Sequence, residues 1–227
     1  MKVNGKEFPY SFSQNRLYED CPRKYKFRYF DGIVEPSNAN LELGTAIHGL
    51  FEHWPEKPIE FKETVIRLLG ITYYKKLSQE IDEFFKDKEI IGHEIELREP
   101  NFIGFIDLVY KTADDKTVLA DFKVTKKPKT QKSVYDEGQL LIYKSKFLTQ
   151  SNIDSENIYV QYVNILPYLA PKLISETEIL FVSHLTCNEL VRDMEKNIDK
   201  IHNQEFPKKT KWCNWCYYKN LCDAEKD

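Results

Sequence analysis

Three charged side chains on two short, strand-like runs could hold a hard cation beside an ammonium group. Asp107 lies in "GFIDLVY", and Asp121 and Lys123 lie in "LADFKV". Residues two apart on a strand face the same side, so Asp121 and Lys123 project together while Phe122 points into a core. If the run carrying Asp107 pairs with the next, Asp107 reaches the same spot. Two converging carboxylates and an ammonium are costly to hold unless a cation neutralises the acids. Mg²⁺ or Mn²⁺ suits them, since both prefer oxygen ligands. Such an ion lowers the pKa of bound water and polarises a phosphate oxygen. Lys123 would then orient or help deprotonate that water and offset developing charge. Taken alone, an Asp-x-Lys pair also reads as a surface ion pair on an exposed strand, worth little.

A second constellation stands near the end of the chain. "KWCNWCYYKNLC" holds Cys213, Cys216 and Cys222, three of only five cysteines. The first residues lack the apolar stretch of a signal peptide, and no apolar run is long enough to span a bilayer, so a cytoplasmic protein without membrane contact is expected. Thiols there stay reduced, and a cysteine cluster points to metal binding rather than disulfides. Cys187, in "SHLTCNEL", fits no ligand spacing and reads as a small buried hydrophobe.

The elements that must position these groups follow from composition and pattern. The chain has 227 residues, 41% hydrophobic and 14% aromatic, which is folded-protein composition with room for one sizeable core. The net charge of −3 exerts no global pull on nucleic acid, but "CPRKYKFR", "KVTKKPKTQK" and "PKKTKW" are locally basic. Gathered on one face they would neutralise phosphates; apart, they are solvated lysine-rich loops. "SFSQNRLYEDC" opens a helix, with Pro22 at a turn or kink. In "LELGTAIHGLFEHW", Ile47, Leu50, Phe51 and Trp54 form a helical stripe with His48 beside it. One or two further amphipathic helices follow from "IEFKETV" to "DEFF". Then come β-rich runs in "EIIGHEIELRE", "FIGFIDLVYK" and "TVLADFKVT", separated by turn signals. A helix from about Tyr135 to Phe147, strands in "NIYVQYVNIL" and "LISETEILFV", and a final helix through "NELVRDMEKNIDKIH" complete an α/β pattern.

In order and spacing these pieces resemble the PD-(D/E)XK nuclease superfamily, in its RecB-like branch with an iron–sulfur cluster. That branch includes CRISPR-adaptation nucleases and AddB-type nuclease domains. "GTAIHGLFE" matches its helical G-x-x-x-H signature, "GFIDLVY" its G-x-x-D strand, "LADFKV" its D-x-K strand and "GQLLIYKSKF" its Q-x-x-x-Y helix. The resemblance implies that His48, Asp107 and Asp121 bind a catalytic Mg²⁺ or Mn²⁺ together with a backbone carbonyl near Phe122. Lys123 would serve the attacking water. Gln139 and Tyr143, four apart on one helix face, would position that lysine or the DNA backbone. Glu94 is a further acidic candidate, with Glu96 on the same strand face as its rival, and Glu52 follows His48 by one helical turn. Each has a plainer reading: His48 as a boundary histidine, Gln139 as a surface amide, Tyr143 as ordinary packing.

The resemblance also supplies a fourth thiol. Members of the branch carry one cysteine before the core and three after it, which here implies Cys21 with Cys213, Cys216 and Cys222 holding a 4Fe-4S cluster as a clasp between the ends. Four thiolates are the usual ligand set for such a cluster; zinc is the competing occupant, though its Cys₄ sites normally show two close pairs. Trp212, Trp215, Tyr217 and Tyr218 would shield the cluster, or stack on bases. The implied architecture is a restriction-endonuclease-like core with a mixed central sheet flanked by helices. It comprises an N-terminal helical section (1–88), the nuclease core (89–183) and a C-terminal helix with the cysteine cluster (184–227), one compact domain overall. The implied activity is metal-dependent hydrolysis of DNA phosphodiester bonds, as an exonuclease on single strands or duplex ends. Implied partners are DNA and a helicase, recombination or CRISPR-adaptation protein, since the chain has no G-x-x-x-x-G-K-[ST] motif of its own. A non-catalytic DNA-binding or partner protein on the same fold, and an electron-transfer protein, are the alternatives.

Overall fold

The computed structural model describes residues 2–3, 6–7, 9–209 and 213–224. Trp212, expected beside the thiols, lies outside the described residues. The chain divides into two compact units, neither a continuous segment: residues 1–36, 98–104 and 191–227 form the first, and 37–97 and 105–190 the second.

In chain order the elements are β1 (Lys2–Val3), β2 (Lys6–Glu7), α1 (Phe12–Asp20), α2 (Pro22–Tyr25) with a π-helical turn at Lys26–Phe30, α3 (Ala39–Glu52), α4 (Ile59–Leu69), α5 (Ile71–Phe85), β3 (Glu89–Glu99), β4 (Phe102–Lys111) and β5 (Thr117–Val124). There follow α6 (Gln131–Glu137), α7 (Gln139–Gln150), β6 (Ile158–Ile165), β7 (Ile174–Glu176), β8 (Leu180–Phe181), α8 (His184–His202) and α9 (Lys219–Ala224). Local chemistry explains the breaks. Ser11 caps α1 by accepting from Gln14 N, and Asn38 caps α3 by accepting from Asn40 N and Leu41 N. Pro22 opens α2 at its first turn, where no amide hydrogen bond is lost. Gly70 separates α4 from α5 at φ 87°. The single helix expected near 135–147 is two helices, because Gly138 takes φ 73° and ends α6 while starting α7. The last expected strand is likewise split into β7 and β8.

The second unit is built on a mixed sheet in the order β3-β4-β5-β6-β7, with β8 also on β6. β4 runs antiparallel to β5, and β5 parallel to β6. Most of β5 and β6 is buried, as expected of strands covered on both faces. Ile47, Leu50 and Phe51 of α3 and Leu77, Ile81, Phe84 and Phe85 of α5 form one core with Ala120 and Phe122 of β5. The Phe51 and Phe122 rings stand 4.3 Å apart. Alternation along β5 therefore turns Asp121 and Lys123 to the other face, toward α7.

In the first unit, side chains near the start of the chain bond backbone near its end. Tyr18 Oη donates to Glu205 O at 2.6 Å, and Arg23 Nε donates to Phe206 O at 3.0 Å. Tyr218 Oη donates to Ile33 O at 2.7 Å, and its ring stacks on Phe27. Among the described residues no helix is long and apolar enough to cross a membrane.

Candidate active site and thiol cavity

The β4–β5 pairing follows the register Leu108 to Ala120. Just beyond it, the Phe122 backbone N–H donates to Asp107 Oδ2 at 2.6 Å. His48 Nδ1 lies 3.6 Å from the same oxygen. On the adjacent strand, Lys123 Nζ stands 2.7 Å from Asp121 Oδ2 and donates to Gln139 Oε1 at 2.9 Å. Asp121 is 4% exposed, and the Lys123 ammonium is the one donor beside its Oδ2 among the described residues. Gln139 also bonds the Tyr143 phenol, which burial pushes up to about 12. The structure thus brings His48, Asp107, Asp121, Lys123, Gln139 and Tyr143 into one linked group.

The electrostatics of this group are strained toward a cation. Burial raises the Asp107 carboxyl well above the usual range and the charge of Asp121 adds to it, against the opposing Phe122 N–H and Lys123. Burial lowers the His48 imidazole despite the neighbouring Asp121, so it is neutral and able to ligate. Burial pulls Lys123 down, but Asp121, Asp107 and Glu137 outweigh it and hold the ammonium above its ordinary value. These neighbours favour the charged form of Lys123.

Among the described residues no three His, Cys, Asp or Glu side chains are drawn together tightly enough to hold a metal ion as they stand. The physical reason is visible at each acid: Asp107 is drawn to a backbone amide and Asp121 to an ammonium. The donor set nevertheless fits a divalent ion. It offers two carboxylates, one of them buried, a neutral imidazole and the backbone at Phe122.

Glu94 and Glu96 are separated by backbone geometry. Glu94 takes φ 46° in mid-strand, and its carboxyl is raised by burial, then by Glu52 and Asp121. Alternation along β3 fails at that residue, which strand periodicity gives no means to foresee. Two features, one beside the site and one away from it, were missed in the sequence. Glu137, just before the Gly138 break, pairs with Lys129 and accepts from Tyr162 Oη at 3.5 Å. Lys144 is fully buried, donating to Ile158 O at 2.6 Å and Val182 O at 2.8 Å. It sits one residue after Tyr143, and a lysine in a helix otherwise buried on both sides was the available signal.

In the first unit Cys21, Cys213, Cys216 and Cys222 line one cavity of about 320 Å³, together with Arg23, Lys24, Lys209 and Lys219 and two acids, Asp20 and Asp223. All four thiols are free and partly exposed, whereas Cys187 is buried as expected. The thiols surround a space rather than a point, and they are soft ligands suited to a cluster or zinc. The expected aromatic shield is only partial: Tyr218 is buried, but Trp215 is 89% exposed and Tyr217 half-exposed. Trp215, in a 3₁₀ turn at Cys213–Trp215, lines the cavity while most of its surface stays open to solvent.

These features define a class: an α/β fold with paired carboxylates and a lysine on adjacent strands of a mixed sheet. The family model of the PD-(D/E)XK nuclease superfamily matches residues 9–223. The chain belongs to that superfamily, and is a nuclease by membership. A solved protein from Eubacterium rectale, described provisionally as an exonuclease, is similar over 96% of this chain and 90% of its own, with TM-score 0.61 and 14% identity. That likeness concerns the fold. A second solved structure, SSO0001, aligns over 91% of this chain and 96% of its own at 18% identity, with TM-score 0.36. No curated protein matches the chain.

Proposed function

We propose that the protein is a metal-dependent deoxyribonuclease, acting as an exonuclease on single-stranded DNA or duplex ends. The observation that carries this reading is the buried carboxylate of Asp121, 2.7 Å from the Lys123 ammonium, on the strand next to Asp107. The superfamily typically uses divalent ions such as Mg²⁺. Asp107, Asp121 and His48 would hold the ion, with the Phe122 backbone nearby. When bound, it supplies an activated water and a polarised phosphate oxygen. Lys123 enters protonated, so it orients the nucleophile and offsets charge building on the phosphate. Gln139 fixes the ammonium in place, and Tyr143, a phenol throughout the working pH range, steadies Gln139.

A 4Fe-4S cluster on Cys21, Cys213, Cys216 and Cys222 would occupy the thiol cavity, whose lining carries four cationic residues against two acids. Such a clasp closes a loop of nearly the whole chain, so its role is structural.

The test is a time course on end-labelled single- and double-stranded DNA, with and without Mn²⁺. The wild type degrades one or both only with metal, and Asp121→Ala is inert. A folded Asp121→Ala protein that still degrades DNA with Mn²⁺ removes the activity from this site.

A further inference from the structure

The segment after Lys123 is basic, and it is also held more firmly than a solvated loop requires. Asn164 of β6 lies opposite Lys123 in the parallel register and is 2% exposed. Its side-chain amide is spent on one residue of that segment: Asn164 Oδ1 accepts from Lys129 N at 2.7 Å, and Asn164 Nδ2 donates to Lys129 O at 3.1 Å. A buried amide is costly unless bonded, and here both of its groups anchor the far end of the loop. The near end is anchored by Thr125 N donating to Ile165 O at 3.0 Å. The middle is closed by the Thr125 hydroxyl, which accepts from Lys127 N at 3.1 Å and donates to Lys127 O at 2.9 Å. The ammonium of Lys129 is committed to Glu137. Lys126 and Lys127 are exposed, and neither ammonium has a partner among the described residues.

We propose that the loop 125–130 is a preformed phosphate clamp, in which Lys126 and Lys127 grip the nucleic-acid backbone beside the scissile phosphate and Asn164 is the positioning residue. The clamp rests on the nuclease reading, and it names where the substrate backbone is held. A chain spans at most about 3.3–3.6 Å per residue, so both lysines start within about 14 Å of Lys123. That is a few nucleotides along a strand. Exposed lysines on a loose loop lose side-chain and backbone entropy on binding; anchoring the backbone beforehand removes part of that cost.

The test measures binding separately from cleavage. An Asp121→Ala background is titrated with a fluorescent single-stranded oligonucleotide at several KCl concentrations. Adding Lys126→Ala/Lys127→Ala lowers the steepness of log Kobs against log salt by about 1–2, from about 0.7 per phosphate released. Lys75→Ala/Lys86→Ala, which removes the same charge from α5 and its C-cap, leaves the slope unchanged. Asn164→Ala weakens binding too, and on that background the lysine pair contributes less than on the parent. Should Asn164→Ala not fold, the exposed lysine pair decides alone. A slope equal to that of the Lys75/Lys86 control, or no binding by the parent, overturns the clamp. Cleavage by the wild type is scored independently: a shifted slope without cleavage overturns the catalytic reading only, and cleavage without a shifted slope overturns the clamp only.

Discussion

Lys123 of β5 donates to the side-chain carbonyl of Gln139, the first residue of α7, across 2.9 Å. The bond crosses from strand to helix and leaves the ammonium shared between an amide and the Asp121 carboxylate. Gln139→Leu removes the neutral partner and lets the ammonium collapse onto Asp121. Misplacement of a catalytic group by about 1 Å costs on the order of 10²-fold. The expected result is kcat lowered by about 10–100-fold in a DNA-cleavage assay, with the thermal response to Mn²⁺ retained.

That thermal response is itself a prediction. A ligand that binds only the folded state at about 100 times its Kd stabilises by about 2.7 kcal/mol. Mn²⁺ therefore raises the Tm of the wild type, and Asp107→Asn or Asp121→Asn removes most of the shift. Equal shifts in all three proteins would place the ion elsewhere.

Lys144 offers a test far from any cation site. Lys144→Met leaves the carbonyls of Ile158 and Val182 without their donor. Orphaned buried acceptors cost about 1–3 kcal/mol each, less the relief of no longer burying an ammonium. Burial lowers the Lys144 ammonium below its ordinary value. The unfolded chain then binds more protons between the folded and ordinary values, so wild-type stability rises with pH in that window. The advantage of wild type over Lys144→Met in urea unfolding should grow as pH rises toward the ordinary lysine range.

Two glycines of α3 should respond in opposite ways to alanine. A Cβ at Gly49 would meet the Phe61 ring at 2.4–2.6 Å, whereas one at Gly44 meets nothing within 4 Å. Gly49→Ala is expected to destabilise by about 1–3 kcal/mol through overpacking. Gly44→Ala should stabilise by about 0.5–1 kcal/mol, because alanine loses less entropy in a helix. Chemical denaturation of both variants checks the pair.

The thiol cavity predicts a brown protein containing iron and acid-labile sulfide. Cys216→Ser should lose both and melt at lower temperature, while Cys187→Ser, at a buried site outside the cavity, keeps its iron. Zinc in place of iron, in protein purified without air, would exclude the cluster.

Much of the site was legible because it rests on local rules. Alternation along β5 placed Asp121 and Lys123 on one face and Phe122 in the core, and the structure has them so. Helical spacing put Gln139 and Tyr143 within reach of each other. Strand alternation and helix periodicity are set by backbone geometry within a few residues, so a sequence carries them openly. Other features depend on residues far apart in the chain. The Phe122 amide on Asp107, the Asn164 amide on Lys129 and the ammonium of Lys144 on two carbonyls are bonds between separate elements. Nothing in local pattern selects among the many polar partners such groups could find. Glu94 at positive φ likewise runs against local preference, whereas the Gly138 break follows from a local glycine signal. Short-range sterics wrote the strands and helices into the sequence; the partners of the buried polar groups were chosen only when folding removed them from water.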